Sequence, residues 1–138
     1  AMSQPNQTLV TMEGAPAIAK EAQITFDLLG LQNIKLVEGD FATSLPAYLD
    51  SVSQVGMVYV DGNHRYQPTM QYFENLLDKV NDQSILIFDD IYWSSEMEKA
   101  WSEIKNHAAV TLTIDLFYLG IVFFRKENKQ QQHFKIRF

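Results

Sequence analysis

Short β-prone runs alternate along the chain with stretches in which apolar residues recur every three or four positions. Leu9 to Met12 is one such run, stopped by Glu13-Gly14, and Pro16 stands where a helix takes its first residue. Ile18, Ala22, Phe26 and Leu29 follow at helical spacing, with Gly30 as a left-handed cap. A second strand is predicted from Ile34 to Val37, closed by Glu38-Gly39-Asp40. A short helix follows over Leu45 to Val52, started by Pro46 or by a Ser44 cap. Val55 to Val60 is almost continuously apolar, which argues for burial on both faces, and it ends at Asp61-Gly62-Asn63-His64.

Tyr66, Met70, Phe73, Leu76, Leu77 and Val80 then mark one face of a helix, closed by Asn81-Asp82. The strand Ser84 to Phe88 ends at Asp89-Asp90. Ser95 and Glu98 form a capping-box pair ahead of a third amphipathic helix carrying Met97, Ala100, Trp101 and Ile104. Val110 to Phe117 and Leu119 to Phe124 are strands too close together for a parallel crossover, so they read as a hairpin. After a polar linker from Lys126 to Gln132, Phe134, Ile136 and Phe138 alternate with His133, Lys135 and Arg137, the pattern of a last half-buried strand. Strands alternating with helices and followed by a strand pair predict an α/β sandwich, parallel through most of its sheet with an antiparallel edge.

Composition narrows the partners more than the fold. At 138 residues the chain suits a single domain spanning 1–138. Eleven Lys and Arg against 17 Asp and Glu leave a net charge of −6, with no basic cluster beyond the short 126–129 stretch, so a nucleic-acid footprint is not expected. The absence of cysteine excludes disulfides, thiolate metal sites and a cysteine nucleophile. The longest apolar run, Leu116 to Phe124, is too short to span a bilayer, and no basic-then-apolar leader opens the chain. A cytoplasmic protein with no membrane partner is expected.

In parallel α/β sheets ligands bind beyond the carboxyl ends of the strands. Those ends read Glu13-Gly14, Gly39-Asp40, Asp61-Gly62-Asn63-His64 and Asp89-Asp90, so acidic residues collect along one rim. On its own Glu13 also suits a turn or a dinucleotide-binding enzyme, and Asp40 a helix N-cap. Asp89 and Asp90 suit a helix cap, Asp61 a turn, and His64 a solvated surface.

That order of strand-end acids, with Val-Tyr-Val-Asp-Gly-Asn-His and Leu-Ile-Phe-Asp-Asp-Ile-Tyr-Trp, resembles class I S-adenosylmethionine-dependent methyltransferases from their second strand onward. The nearest likeness is to cation-dependent O-methyltransferases of the caffeoyl-CoA and catechol type and to bacterial sugar O-methyltransferases. The resemblance implies a three-layer Rossmann-like sheet, mostly parallel with an antiparallel C-terminal strand pair, lacking the family's first strand and glycine-rich loop. It implies methyl transfer from S-adenosylmethionine to a hydroxyl of a small molecule. Glu13 and Gly14 would take the donor's ribose, Gly39, Asp40 and Phe41 would lie by its adenine, and Asp61 would stand at the same cleft. Asp61, Asp89 and Asp90, with Trp93 nearby, would hold a divalent metal, for which three close carboxylates and an all-oxygen set favour Mg²⁺ or Ca²⁺. Asp90 departs from the family's usual Asn. His64 and Asp61 are the catalytic candidates, and Tyr92 and Trp93 could wall the acceptor pocket. Without the glycine-rich loop, slight transfer by this chain alone is expected, and a gap in the sheet predicts a homodimer, or else closure within the chain by direct pairing of the strands ending at Glu13 and Asp61. A catalytically inactive binding remnant and a nucleotide-binding oxidoreductase are the other readings.

Overall fold

The strand and helix rhythms are realised in a computed structural model that describes residues 7–137. The chain forms two compact units, Ala1–Tyr48 and Leu49–Phe138. In the first, β1 (Leu9–Glu13) and β2 (Ile34–Glu38) pair in parallel, Leu9 opposite Ile34 and Glu13 opposite Glu38. The connection between them is α1 (Pro16–Leu28), with its proline in the first turn, where the missing N–H is no loss. Gly30 takes a φ of +63°, as the left-handed cap requires.

Two expectations change in this unit. Ile18 and Leu29, predicted for the buried face of α1, are each 58% exposed, and Ala19 is the buried residue of that helix. A two-stranded sheet is too narrow to cover a full helical stripe. The next helix, α2 (Phe41–Asp50), begins four residues before the predicted Leu45, because Asp40 and not Ser44 caps it: Asp40 Oδ1 accepts from the Ala42 N–H at 2.8 Å. Pro46 therefore lies inside the helix, where it removes one backbone hydrogen bond.

The second unit holds a five-stranded sheet in the order β3-β4-β6-β5-β7, formed by β3 (Met57–Val60), β4 (Ile85–Phe88), β5 (Leu112–Asp115), β6 (Gly120–Phe123) and β7 (Gln132–Lys135). β3 pairs with β4 in parallel and β5 with β7 in parallel, while β6 runs antiparallel to both β4 and β5. Three of the five strand pairings among the described residues are thus parallel, with the antiparallel hairpin β5–β6 where its short link predicts it. Helices α3 (Tyr66–Leu77) and α4 (Ser95–Lys105) pack side by side. Phe73 of α3 meets Phe88 of β4 edge-on at 6.2 Å, and the Trp101 ring of α4 lies directly over Gly120 of β6. Phe73, Leu76, Leu86, Phe88, Ile104 and Val122 are fully buried, each stabilising by about 1.5–3 kcal/mol.

Three further details differ. Ser94, not Ser95, caps α4, its hydroxyl accepting from the Met97 N–H at 3.3 Å. β3 was expected to be buried on both faces, yet Met57 is 68% and Tyr59 52% exposed. It is an edge strand, paired with β4 alone among the described residues. β7, expected to be half-buried, is exposed throughout for the same reason. Phe138, assigned to that strand, lies outside the described residues.

Candidate functional site

Parallel pairing brings the carboxyl ends of neighbouring strands to one edge, and each unit has such an edge. In the first unit the Gly39 N–H donates to the Glu13 carbonyl at 3.0 Å, which draws Gly14 and Gly39 together. A Cβ on Gly14 would come within 3.7 Å of the Gly39 carbonyl, and Gly39 holds a φ of +148°, open to glycine and strained for other residues. Glu13 Oε1 accepts from the Ala15 N–H at 2.8 Å, and Asp40 Oδ1 caps α2. Each carboxylate therefore spends one oxygen on its own turn and keeps a second without a hydrogen bond among the described residues. Phe41 is half-buried beside them in sequence. These are two carboxylate acceptors on a glycine-lined edge, able to take hydrogen bonds from ligand hydroxyl or amine groups.

In the second unit Asp61 follows β3 and Asp89 follows β4. The Asp89 N–H donates to the Val60 carbonyl at 3.0 Å, fixing the two ends against each other. His64 Nε2 stands 3.3 Å from Asp61 Oδ1, with His64 side chain 28% exposed. The His64 ring lies 6.4 Å from that of Trp93, which is 71% exposed. Asn63 and Asp90 take positive φ values of 62° and 51°. Residues held this way cluster at functional sites, and here they re-aim the chain at both strand ends. The Asp90 N–H donates to Asp89 Oδ1 at 3.0 Å, and the Trp93 N–H to the Asp90 carbonyl at 2.9 Å.

Tyr59 was not singled out in the sequence, although its hydroxyl in an otherwise apolar strand, two residues before Asp61, was the available signal. Its pKa is pushed up to about 12 by partial burial of the hydroxyl, then by its interaction with Asp89 and the negative fields of Asp89, Asp61 and Asp90. All three predicted acids thus bear on one hydroxyl at one edge. They do not form a ready metal centre. Among the described residues no group of three or more His, Cys, Asp or Glu side chains is arranged to hold a metal ion. Asp89 Oδ1 accepts from the Asp90 N–H and lies in the field of the Tyr59 hydroxyl, while Asp61 Oδ1 faces His64, so these two carboxylates have different partners.

A second polar cluster begins at Tyr92, next to Trp93 in sequence. The Tyr92 hydroxyl donates to Asp115 Oδ2 at 2.5 Å and accepts from Lys135 Nζ at 2.9 Å, with Lys135 Nζ 3.6 Å from the same carboxylate. Burial opposes the ionisation of Asp115. The Tyr92 hydroxyl, the Phe117 N–H, Lys135 and the Trp101 indole, whose N–H lies towards the carboxylate without a formal hydrogen bond, together hold its pKa below the usual range. Tyr92 is thereby tied to the sheet, and Trp93 next to it is left projecting into solvent.

A sequence-family profile described as a methyltransferase domain matches residues 1–91. Among solved structures, the chain is similar to the S-adenosylhomocysteine-bound methyltransferase PaMTH1 of Podospora anserina, at 16% identity and a TM-score of 0.72, over 86% of this chain and 61% of that one. It is similar to the O-methyltransferase TomG of Streptomyces achromogenes in complex with S-adenosylmethionine, at 17% identity and a TM-score of 0.71, over 88% and 63%. With CalS11, a TDP-rhamnose 3'-O-methyltransferase of calicheamicin biosynthesis, it shares 24% identity over 87% of this chain and 59% of that one, at a TM-score of 0.61. The chain thus spans about three-fifths of the length of these proteins. No curated protein matches by sequence. Among the described residues no helix is long and apolar enough to cross a membrane.

Proposed function

The chain belongs to the methyltransferase domain family, with that family's Rossmann-like fold, and from that premise we propose that it serves methyl transfer from S-adenosylmethionine to a hydroxyl of a small molecule. The observation that carries the chemistry is His64 beside Asp61 at the carboxyl end of β3. With Nε2–H turned to the Asp61 carboxylate, Nδ1 is the basic nitrogen and can hold the proton of an acceptor hydroxyl. Asp61 orients the ring and balances the imidazolium that forms. Trp93 offers an exposed aromatic face to the acceptor. Glu13, Gly14, Gly39, Asp40 and Phe41 are the proposed seat of the donor's nucleoside.

Bound donor supplies a methyl carbon activated by a sulfonium. The acceptor oxygen forms the new C–O bond as the C–S bond breaks, and the released proton stays on His64. A divalent cation at Asp61, Asp89 and Asp90 is an adjunct to this reading. It requires Asp89 to leave Tyr59, and no step passes through it. The proposed partner is a second copy of the chain, set against the exposed edge of β3.

The test is transfer of labelled methyl groups to a panel of catechols, sugars and hydroxy acids, with His64→Ala alongside. Loss of about 10²–10⁴-fold in rate without loss of donor binding supports the base. Equal rates remove His64 from the chemistry. Absence of transfer by the wild-type chain leaves the inactive binding reading in its place.

A further inference from the structure

Away from the His64 edge, the β5–β6 turn carries features that methyl transfer does not use. Phe117 sits at a φ of 71°, a strained conformation for a bulky aromatic residue. Asp115 holds it there, its Oδ1 accepting from the Phe117 N–H at 3.0 Å while its Oδ2 takes the Tyr92 hydroxyl. The turn is closed by the Leu116 N–H donating to the Leu119 carbonyl at 2.8 Å. Strain held by a buried carboxylate thus displays two rings outward: Phe117 is 53% and Tyr118 64% exposed, packed edge to face at 5.0 Å.

The end of β7 faces this turn. Its pairing runs on past Lys135, since the Ile136 N–H donates to the Asp115 carbonyl at 2.9 Å. Extended chain puts Lys135 and Arg137 on the same side of the strand. Together these segments line a groove of about 420 Å³, formed by Leu116, Phe117, Tyr118, Lys135, Ile136 and Arg137. That volume lies within the roughly 300–1,000 Å³ typical of small-molecule sites. Among the described residues the charges in it are unbalanced. Asp115 neutralises Lys135, while Arg137 lies near enough to oppose the Lys135 charge and has no carboxylate partner among the described residues.

We infer that this groove binds an amphipathic organic anion, with its apolar or aromatic body against Phe117 and Tyr118 and its carboxylate or phosphate on Arg137. A guanidinium donates two parallel hydrogen bonds to either group. The inference does not depend on the proposed methyl transfer, and no donor enters its test.

Amide spectra of the whole chain are titrated with phenyl phosphate, benzoate and the neutral benzyl alcohol. Shifts should concentrate at Leu116–Tyr118 and Ile136–Arg137, and the better anion should bind at least about fivefold tighter than the alcohol, a charge-assisted contact weakened by exposure. Whether phenyl phosphate or benzoate leads identifies the anionic group. R137Q, an exposed substitution whose folding is checked by the undisturbed remainder of the spectrum, should abolish the preference. F117A should weaken anion and alcohol alike. Equal binding of anion and alcohol, shifts centred elsewhere, no shifts at all, or an unchanged preference in R137Q would each overturn the inference.

Discussion

Gly120→Ala should be among the most damaging single-methyl changes in this protein. A Cβ at that position would lie 2.6 Å from Cζ3, 2.7 Å from Cη2 and 2.9 Å from Cε3 of Trp101. All three atoms belong to one rigid ring on a side chain 2% exposed, so the clash cannot be relieved by turning a flexible end. Overpacking of this kind costs about 1–3 kcal/mol, and the three simultaneous contacts place Gly120→Ala near the top of that range. Removing glycine from a strand returns roughly 0.5–1 kcal/mol, so the net loss should be about 2 kcal/mol. For a chain of this size that is a fall in Tm on the order of 6–10 °C. Urea denaturation should show a lower midpoint with an unchanged m-value. The attribution to the ring is checked by a cycle with Trp101→Leu, which lacks the three clashing atoms: adding Gly120→Ala to that background should cost less than about 0.5 kcal/mol. A Gly120→Ala protein as stable as wild type, or an equal loss in both backgrounds, would refute the packing described for α4 on β6.

Other expectations follow from the same contacts. Tyr59, with its pKa pushed up to about 12, favours the folded state in its neutral form; that contribution is complete below pH 10 and is lost as pH rises through about 12, so Tyr59→Phe should flatten the alkaline limb of stability against pH. Since Tyr59 is half exposed, the effect should stay below about 1 kcal/mol. The depressed pKa of Asp115 has the opposite sign: its stabilisation is present above the unfolded value and disappears as pH falls through the folded one, and Asp115→Asn should remove that acid-limb dependence. If Asp89 must leave Tyr59 to meet a cation, millimolar Mg²⁺ should raise the Tm of Tyr59→Phe more than that of wild type, and equal shifts would detach Tyr59 from any cation site. Light scattering over a range of concentrations should show a dimer that charges at Met57 and Tyr59 dissociate; a constant monomeric mass would remove the second copy as partner.

The long periodic segments were legible because local spacing determines them: α3, α4 and the strands before Asp61 and Asp89 fall within a few residues of their predicted bounds. The acids at the strand ends within each unit were legible for a similar reason, since parallel pairing sends the carboxyl ends of β1 and β2, and separately those of β3 and β4, to one edge. What spacing does not encode is which strands lack neighbours. Met57 and Tyr59 read as core because the run around them is apolar, yet an edge position leaves them exposed, and β7 misled in the same way. Nor does spacing give side-chain direction at the rim. Asp61, Asp89 and Asp90 were placed on one edge, but the positive φ of Asp90, the turn of Asp61 towards His64 and the Asp90 N–H on Asp89 Oδ1 are not encoded in spacing. The cluster of Tyr92, Asp115 and Lys135 joins three elements distant in sequence, and no local pattern marks it.

Whether Glu13 and Asp40 recognise the methyl donor is the most direct test of the proposed function. Amide spectra recorded with S-adenosylmethionine and with adenosine should shift at Glu13–Gly14 and Gly39–Phe41, and E13Q should weaken both ligands without lowering the Tm of the free chain. Shifts confined to other residues, or no response to either ligand, would contradict the assignment of that edge to the methyl donor.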